Sequence, residues 1–198
     1  MARPKRNDDT RERLLAIGLN LFSSHGYNGT GIKEITDAAS VPKGSFYNYF
    51  ASKEDYAAAI IRHYGEQAAA RWAENLKSAP ASPLGTLRHH YETGIAQYEQ
   101  CSSKTGCLVG NLAAEISESS ELCRDTLRAV MTASRERFVK YLRAAQQAGE
   151  ARTDLGAEQM AEFFWNAWEG SLLRMKIENS TTPVRQCIAL MFDHFFKA

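Results

Sequence analysis

The chain has 198 residues, 44% of them hydrophobic and 24% charged, with 24 basic against 23 acidic residues and a net charge of +1. A chain this long can bury a core without metal or disulfide support, and its longest apolar runs (Ala57 to Ile61, Ile188 to Phe192) fall far short of the roughly 20 residues of a membrane helix. The basic N-terminus has no apolar segment after it, which argues against a secretory signal, and the balanced charge gives no whole-protein field toward nucleic acid.

Along the chain the hydrophobic periodicity is helical nearly throughout. Residues 1–6 carry Arg3, Lys5 and Arg6, the composition of either a short phosphate-seeking arm or a solubilising tail. Asp9 or Thr10 can cap a helix whose Leu14, Leu15, Gly18, Leu21 and Phe22 form one buried face, and His25-Gly26 ends it. A short helix starts at Thr30, with Ile32, Ile35, Ala38 and Ala39 inward. Ser40-Val41-Pro42 makes a tight turn into a third helix, Lys43 to Tyr49, with proline in its first turn. Ser52-Lys53-Glu54-Asp55 caps a long fourth helix running to about Lys77, and the proline-containing stretch 79–83 breaks it. Five further helices are expected over 84–100, 107–116, 119–148, 157–179 and 184–197. The predicted fold is all-α, about nine helices, with a three-helix domain over 1–50 and a helical bundle over 51–198.

Two short helices joined by a tight turn make a helix-turn-helix, whose second helix can enter the major groove. In the segment 43–50, Phe46 and Phe50 are spaced to bury, while Lys43, Ser45, Tyr47, Asn48 and Tyr49 point outward. Exposed tyrosines beside a lysine suit thymine methyls and phosphates, and Gly44 allows close backbone approach.

The residues Leu14-Leu15, Gly18, Leu21-Phe22, Gly26-Tyr27, Thr30-Gly31-Ile32, Ile35, Ala38-Ala39 and the run Val41 to Phe50 with Ser52-Lys53-Glu54 resemble the N-terminal signature of TetR-family repressors. The resemblance implies that helices 1–3 bind a double-stranded operator, and that the remaining helices bind a small-molecule inducer and dimerise. Carried onto matching positions, it implies that Thr30 and Lys53 hold phosphates at helix N-termini, with Lys43, Ser45, Tyr47 and Tyr49 at the groove and its walls. Ser40-Val41-Pro42 departs from the family's usual Gly-Val-Ser, so a turn glycine and a small polar cap are both missing.

The stretch Gly106-Cys107-Leu108-Val109-Gly110-Asn111-Leu112, together with Trp165, Trp168-Glu169-Gly170, Leu173-Arg174 and Lys176, resembles a subgroup of that family responding to N-ethylmaleimide-type electrophiles and to acrylate. It marks Cys107 and Asn111 as sensor residues. A start at Thr105-Gly106 would put Cys107 in a first helical turn, where free N–H groups favour a thiolate. Trp165, Glu169, Leu172 and Lys176 share one stripe of helix 157–179, and with Trp168 they offer an apolar slot with a cation for a carboxylate ligand. Set against this, Cys107 could be a small core residue and Glu169–Lys176 an ion pair.

Cys101, Cys107, Cys123 and Cys187 form no CxxC pair and are expected as free thiols. The histidines show no metal spacing, so no metal or cofactor is expected. With no phosphate-binding loop or nucleophile elbow, an enzyme is not expected. The leading reading is a ligand-released repressor in the cytoplasm. The rivals are a repressor signalled by oxidation of Cys107 and a cysteine-dependent helical-bundle enzyme. The apolar stripes holding Phe164 on one predicted helix, and Val184, Ile188, Met191 and Phe195 on the last, are expected to join two copies as a four-helix bundle.

Overall fold

The computed structural model describes residues 5–101 and 104–198. The expected arm lies outside the described residues at positions 1–4, and Lys5 and Arg6 contribute backbone to the first turn of α1 (Lys5–Gly29). There follow α2 (Ile32–Ala38), α3 (Lys43–Phe46), α4 (Lys53–Asn75), α5 (Pro83–Gln100), α6 (Leu108–Ile116), α7 (Glu121–Gln147), α8 (Ala157–Glu178) and α9 (Thr182–Leu190). A π-helical turn over Met191–Phe195 extends α9. The described residues form no strand beyond one isolated bridge between Ala151 and Lys197, in keeping with the all-α expectation.

The chain divides into two compact units. One contains the residues up to Glu66 and Leu108–Val130; the other contains Gln67–Cys107 and Met131–Ala198. Their boundaries fall inside α4 and α7 and between Cys107 and α6. The first unit therefore recruits α6 and the start of α7 to the three small helices, a pairing of segments far apart in sequence.

In the first unit the core is built around Tyr56 of α4. Its ring lies 5.8 Å from Phe22, 5.1 Å from Phe46 and 4.8 Å from Phe50, and its hydroxyl donates to the Leu14 carbonyl at 2.6 Å. Gly26 breaks α1 with φ 73° and ψ 176°, a combination open almost only to glycine. The Asn28 N–H in the following turn donates to the Glu115 carboxylate of α6 at 2.9 Å. The turn before α3 is made by Ser40 at φ 52°, the left-handed conformation that a glycine would adopt without strain. Pro42 precedes α3 without capping it through a side chain. The regular part of α3 ends at Phe46, earlier than the expected Tyr49, and Tyr47–Tyr49 continue as hydrogen-bonded turns. At α4 the Ser52 hydroxyl accepts from the Asp55 N–H, and the Asp55 carboxylate accepts from the Ala51 N–H, both at 3.0 Å. That exchange satisfies two otherwise orphaned donors.

The second unit holds the largest apolar cluster. It runs from Leu84, Leu87 and Ile95 of α5 through Phe138 and Leu142 of α7 to Phe164, Trp168 and Met175 of α8 and Val184 and Ile188 of α9. Phe138 and Phe164 stack at 4.5 Å. Ser82 caps α5 by accepting from the Gly85 N–H at 2.9 Å, and its hydroxyl donates to Glu150 at 2.8 Å.

Candidate functional site

The groove-facing set divides by exposure. Lys43, Gly44, Asn48 and Tyr47 are exposed, Tyr47 to 48%. Ser45 and Tyr49 are half-buried, and Phe46 and Phe50 are buried as their four-residue spacing requires. A Cβ on Gly44 would meet nothing within 4 Å, so the backbone there is open to close approach. Lys53, the first residue of α4, is half-buried with its ammonium 4.2 Å from the Tyr27 ring centre, and desolvation holds its pKa below the usual lysine value. Thr30 corrects the phosphate expectation. It is 1% exposed, its hydroxyl donates to the Gly26 carbonyl at 2.8 Å and its N–H to Tyr27 at 3.3 Å. Both donors serve the turn, so its side chain cannot reach a phosphate.

The second candidate site gathers on α5 and α8. Cys107 lies one residue ahead of α6, not within its first turn; Gly106, at φ 74°, ends the approach. A Cβ on Gly106 would lie 3.9 Å from the Leu172 carbonyl, so this segment passes close along α8. There the Cys107 thiol hydrogen-bonds the Glu169 carboxyl, whose pKa burial raises above the ordinary value against the pull of that bond. Two tyrosines of α5 face the same pair. Tyr91 has its phenol pushed up by burial and then by Glu169, and Tyr98 by burial and then by Cys107. The Tyr98 hydroxyl donates to the Gly106 carbonyl at 3.3 Å. Tyr91 packs edge-on against Phe164 at 4.8 Å and Trp168 at 4.9 Å.

Trp168 and Leu172 are buried in the cluster just described. Trp165 is half-buried one turn before Glu169, and its indole nitrogen is buried with no acceptor among the described residues. Asn111 is half-buried on α6, in the first unit. Lys176 corrects the expectation of an embedded cation: it is exposed in the last turn of α8, and it forms no ion pair with Glu169. An exposed ammonium is screened by water and gives little support to a thiolate. A carboxylate, not a lysine, is what the structure puts against Cys107.

The polar members that the sequence reading missed are Tyr91 and Tyr98. A signal for the tyrosines existed: Leu84, Leu87, Tyr91, Ile95 and Tyr98 follow the three- and four-residue spacing of a buried face, and two of the five carry hydroxyls. His90 lies with its ring 4.4 Å from Trp72, and burial, then Arg71 and Arg137, lower its pKa to about 4.

The dimer stripe also needs correction. Phe164, Val184, Ile188 and Met191 are buried inside the protomer, and Phe195 is half-buried against Phe163 at 4.9 Å. The apolar side chains left outside on the same helices are Phe163, Leu173 and Ile177 of α8 and Leu190 of α9, with Ile177 exposed to 74%. Phe163, Gly170, Leu173 and Ile177 share one face, at steps of seven, three and four residues.

Comparison with known proteins places this arrangement. Residues 14–60 match the family described as "Bacterial regulatory proteins, tetR family", and residues 83–191 match "Tetracyclin repressor-like, C-terminal domain". The HTH-type transcriptional repressor DhaR of Mycobacterium sp. (strain GP1) is 32% identical over 183 residues, spanning 92% of this chain and 90% of that protein. The transcriptional regulator AcuR of Cereibacter sphaeroides is 34% identical over 187 residues, spanning 93% and 84%. The crystal structure of reduced Escherichia coli NemR superposes with a TM-score of 0.87 at 29% identity, covering 96% of this chain and 97% of that one.

Proposed function

Because the chain belongs to the TetR family of bacterial transcriptional regulators, DNA-binding proteins and not enzymes, we propose that it is a repressor released from its operator when an electrophile reacts at Cys107. What carries the reading is the Cys107 thiol hydrogen-bonded to Glu169, a half-buried carboxyl made more basic by burial. A base of that kind can take the thiol proton as sulfur attacks. With an α,β-unsaturated carbonyl, the S–C bond forms at the β-carbon as the C=C pair shifts toward the carbonyl. The thiol proton passes to Glu169, and the α-carbon takes a proton, so thiol and alkene give a thioether with nothing lost. Lys43, Gly44, Ser45, Tyr47, Asn48 and Tyr49 meet the groove, and Lys53 meets a phosphate.

The protein acts as a homodimer on a near-palindromic operator with half-sites about 34–36 Å apart, and works in the cytoplasm, where its DNA is. The exposed face of Phe163, Leu173 and Ile177 supports self-association, since an apolar surface of this kind is ordinarily covered. The test is operator release by N-ethylmaleimide in a gel shift. Cys107→Ser is expected to bind operator as wild type does and to resist release. Glu169→Gln is expected to slow labelling of Cys107 by roughly tenfold or more, since an amide cannot take the proton, while Lys176→Met leaves the rate unchanged. Release of Cys107→Ser at wild-type concentrations would eliminate the covalent reading. Tyr47→Ala should weaken operator binding by about 1–3 kcal/mol, and unchanged affinity would refute the placement of α3.

A further inference from the structure

The break in α1 leaves backbone donors that the helix itself cannot satisfy, and a residue 87 positions away takes one of them. Gly26, at φ 73° and ψ 176°, separates Tyr27–Gly29 from the rest of α1, so the first N–H groups of the new turn lack a helical acceptor. The Asn28 N–H donates instead to the half-buried Glu115 carboxylate of α6 at 2.9 Å. That carboxylate is seated against Gly26: a Cβ there would lie 2.3 Å from Glu115 Oε1 and 2.9 Å from its Cδ. Glycine supplies both the dihedral angles and the room.

The turn that Glu115 grips sets the DNA-binding geometry. The Tyr27 ring lies 4.2 Å from the Lys53 ammonium, and Glu115 is the charge that offsets the desolvation of that ammonium. The Gly26 and Tyr27 carbonyls accept from the Thr30 hydroxyl at 2.8 Å and the Thr30 N–H at 3.3 Å. Thr30 and Gly31 lead directly into α2, which has no side-chain cap of its own. Past the end of α6, the Ser120 hydroxyl donates to Glu54, next to Lys53 at the start of α4. All of these residues belong to the first unit, in which α6 packs on α1.

We propose that Glu115 is a positioning residue for operator binding: through it α6 holds the α1–α2 turn and Lys53 in the DNA-binding arrangement, and a displacement of α6 lets them go. A shift of about 1 Å is enough to carry a bond of this length out of hydrogen-bond range. The inference rests on the reading of Cys107 as the reacting thiol only for what displaces α6. Alkylation removes the thiol hydrogen bonded to Glu169, at the residue immediately before α6.

The test is made in a Cys101→Ser background, which leaves Cys107 as the one thiol that is not buried. Operator dissociation constants are measured by fluorescence anisotropy before and after alkylation with N-ethylmaleimide, and their ratio reports the coupling. Glu115→Ala is expected to weaken binding before alkylation by roughly tenfold or more, the worth of a hydrogen bond to a charged group, and to bring the ratio close to one. Glu115→Gln keeps an oxygen that can accept from Asn28, and it should retain most of the affinity and of the ratio. A contribution to folding alone would leave the ratio as in wild type. An unchanged ratio in Glu115→Ala, or a Glu115→Gln protein as impaired as Glu115→Ala, overturns the inference. If alkylation leaves wild-type operator binding intact, the covalent reading fails, and Glu115 is judged by binding before alkylation together with hydrogen exchange of the Asn28 amide. Weaker binding and faster exchange in Glu115→Ala, both restored in Glu115→Gln, uphold the positioning role, and any other pattern overturns it. Thermal melting verifies that each variant is folded, and Glu115→Asp, which withdraws the carboxylate by one methylene, replaces Glu115→Ala if that protein is not.

Discussion

Gly18 sets helix propensity against packing, and the structure decides the sign. In an exposed helix interior, glycine to alanine stabilises by about 1 kcal/mol. Gly18 is buried where α1 meets α4, and a Cβ there would lie 2.5 Å from Tyr56 Cζ and 2.7 Å from Ile60 Cδ1, with the Tyr56 hydroxyl closer still. Tyr56 cannot turn aside: it has no exposed surface, and its hydroxyl is spent on the Leu14 carbonyl at 2.6 Å. Overpacking costs about 1–3 kcal/mol, and pulling a buried hydroxyl off its acceptor costs about 1–3 kcal/mol more. After the propensity gain, Gly18→Ala should destabilise by roughly 1–5 kcal/mol, a fall in Tm of roughly 2–20 °C for a chain of this size. Thermal and urea melts at one protein concentration measure it, since association shifts Tm. In a Tyr56→Phe background the hydroxyl is gone and the penalty should shrink. A Gly18→Ala protein that melts at or above the wild-type temperature would refute the packing argument.

Stability should also depend on His90. Its folded pKa of about 4 lies below the ordinary 6.5, so the unfolded chain binds a proton more readily between those values. The contribution is present above about pH 6.5 and is lost as pH falls toward 4, up to about 3 kcal/mol in all; urea melts of His90→Gln against wild type should show that part of the slope removed. At the exposed face of α8, Ile177→Glu or Leu173→Glu should convert dimer to monomer in sedimentation at micromolar concentration without lowering helix content, whereas an unchanged dimer would place the interface elsewhere.

Much of the fold was legible because local rules govern it. Leu14, Phe22 and Ile35 recur at helical spacing, Ser52 caps as its neighbours require, and Phe46 and Phe50 turn inward four residues apart. The helix-turn-helix and the all-α architecture follow from such short-range patterns. On α8 the pattern is ambiguous: apolar residues occupy more than one face, and the sequence does not say whether Phe164 or Phe163 is covered by its own chain. Packing with α5, α7 and α9 settles it, burying Phe164 and leaving Phe163, Leu173 and Ile177 outside. The same ambiguity misled the sensor stripe. Trp165, Glu169 and Lys176 do share a side of the helix, yet burial reaches Glu169 and stops before Lys176, because burial is decided by what other segments bring. Thr30 carries the right hydroxyl for a phosphate, but the backbone break at Gly26 turns it inward. Cys107 and Glu169 stand far apart in sequence with no local signal linking them, and only the tertiary structure sets the thiol against the carboxyl. By itself the sequence determined which surfaces each helix could bury and the DNA-reading motif; the chain's long-range packing decided which of those surfaces it did bury, and which charges were left facing one another.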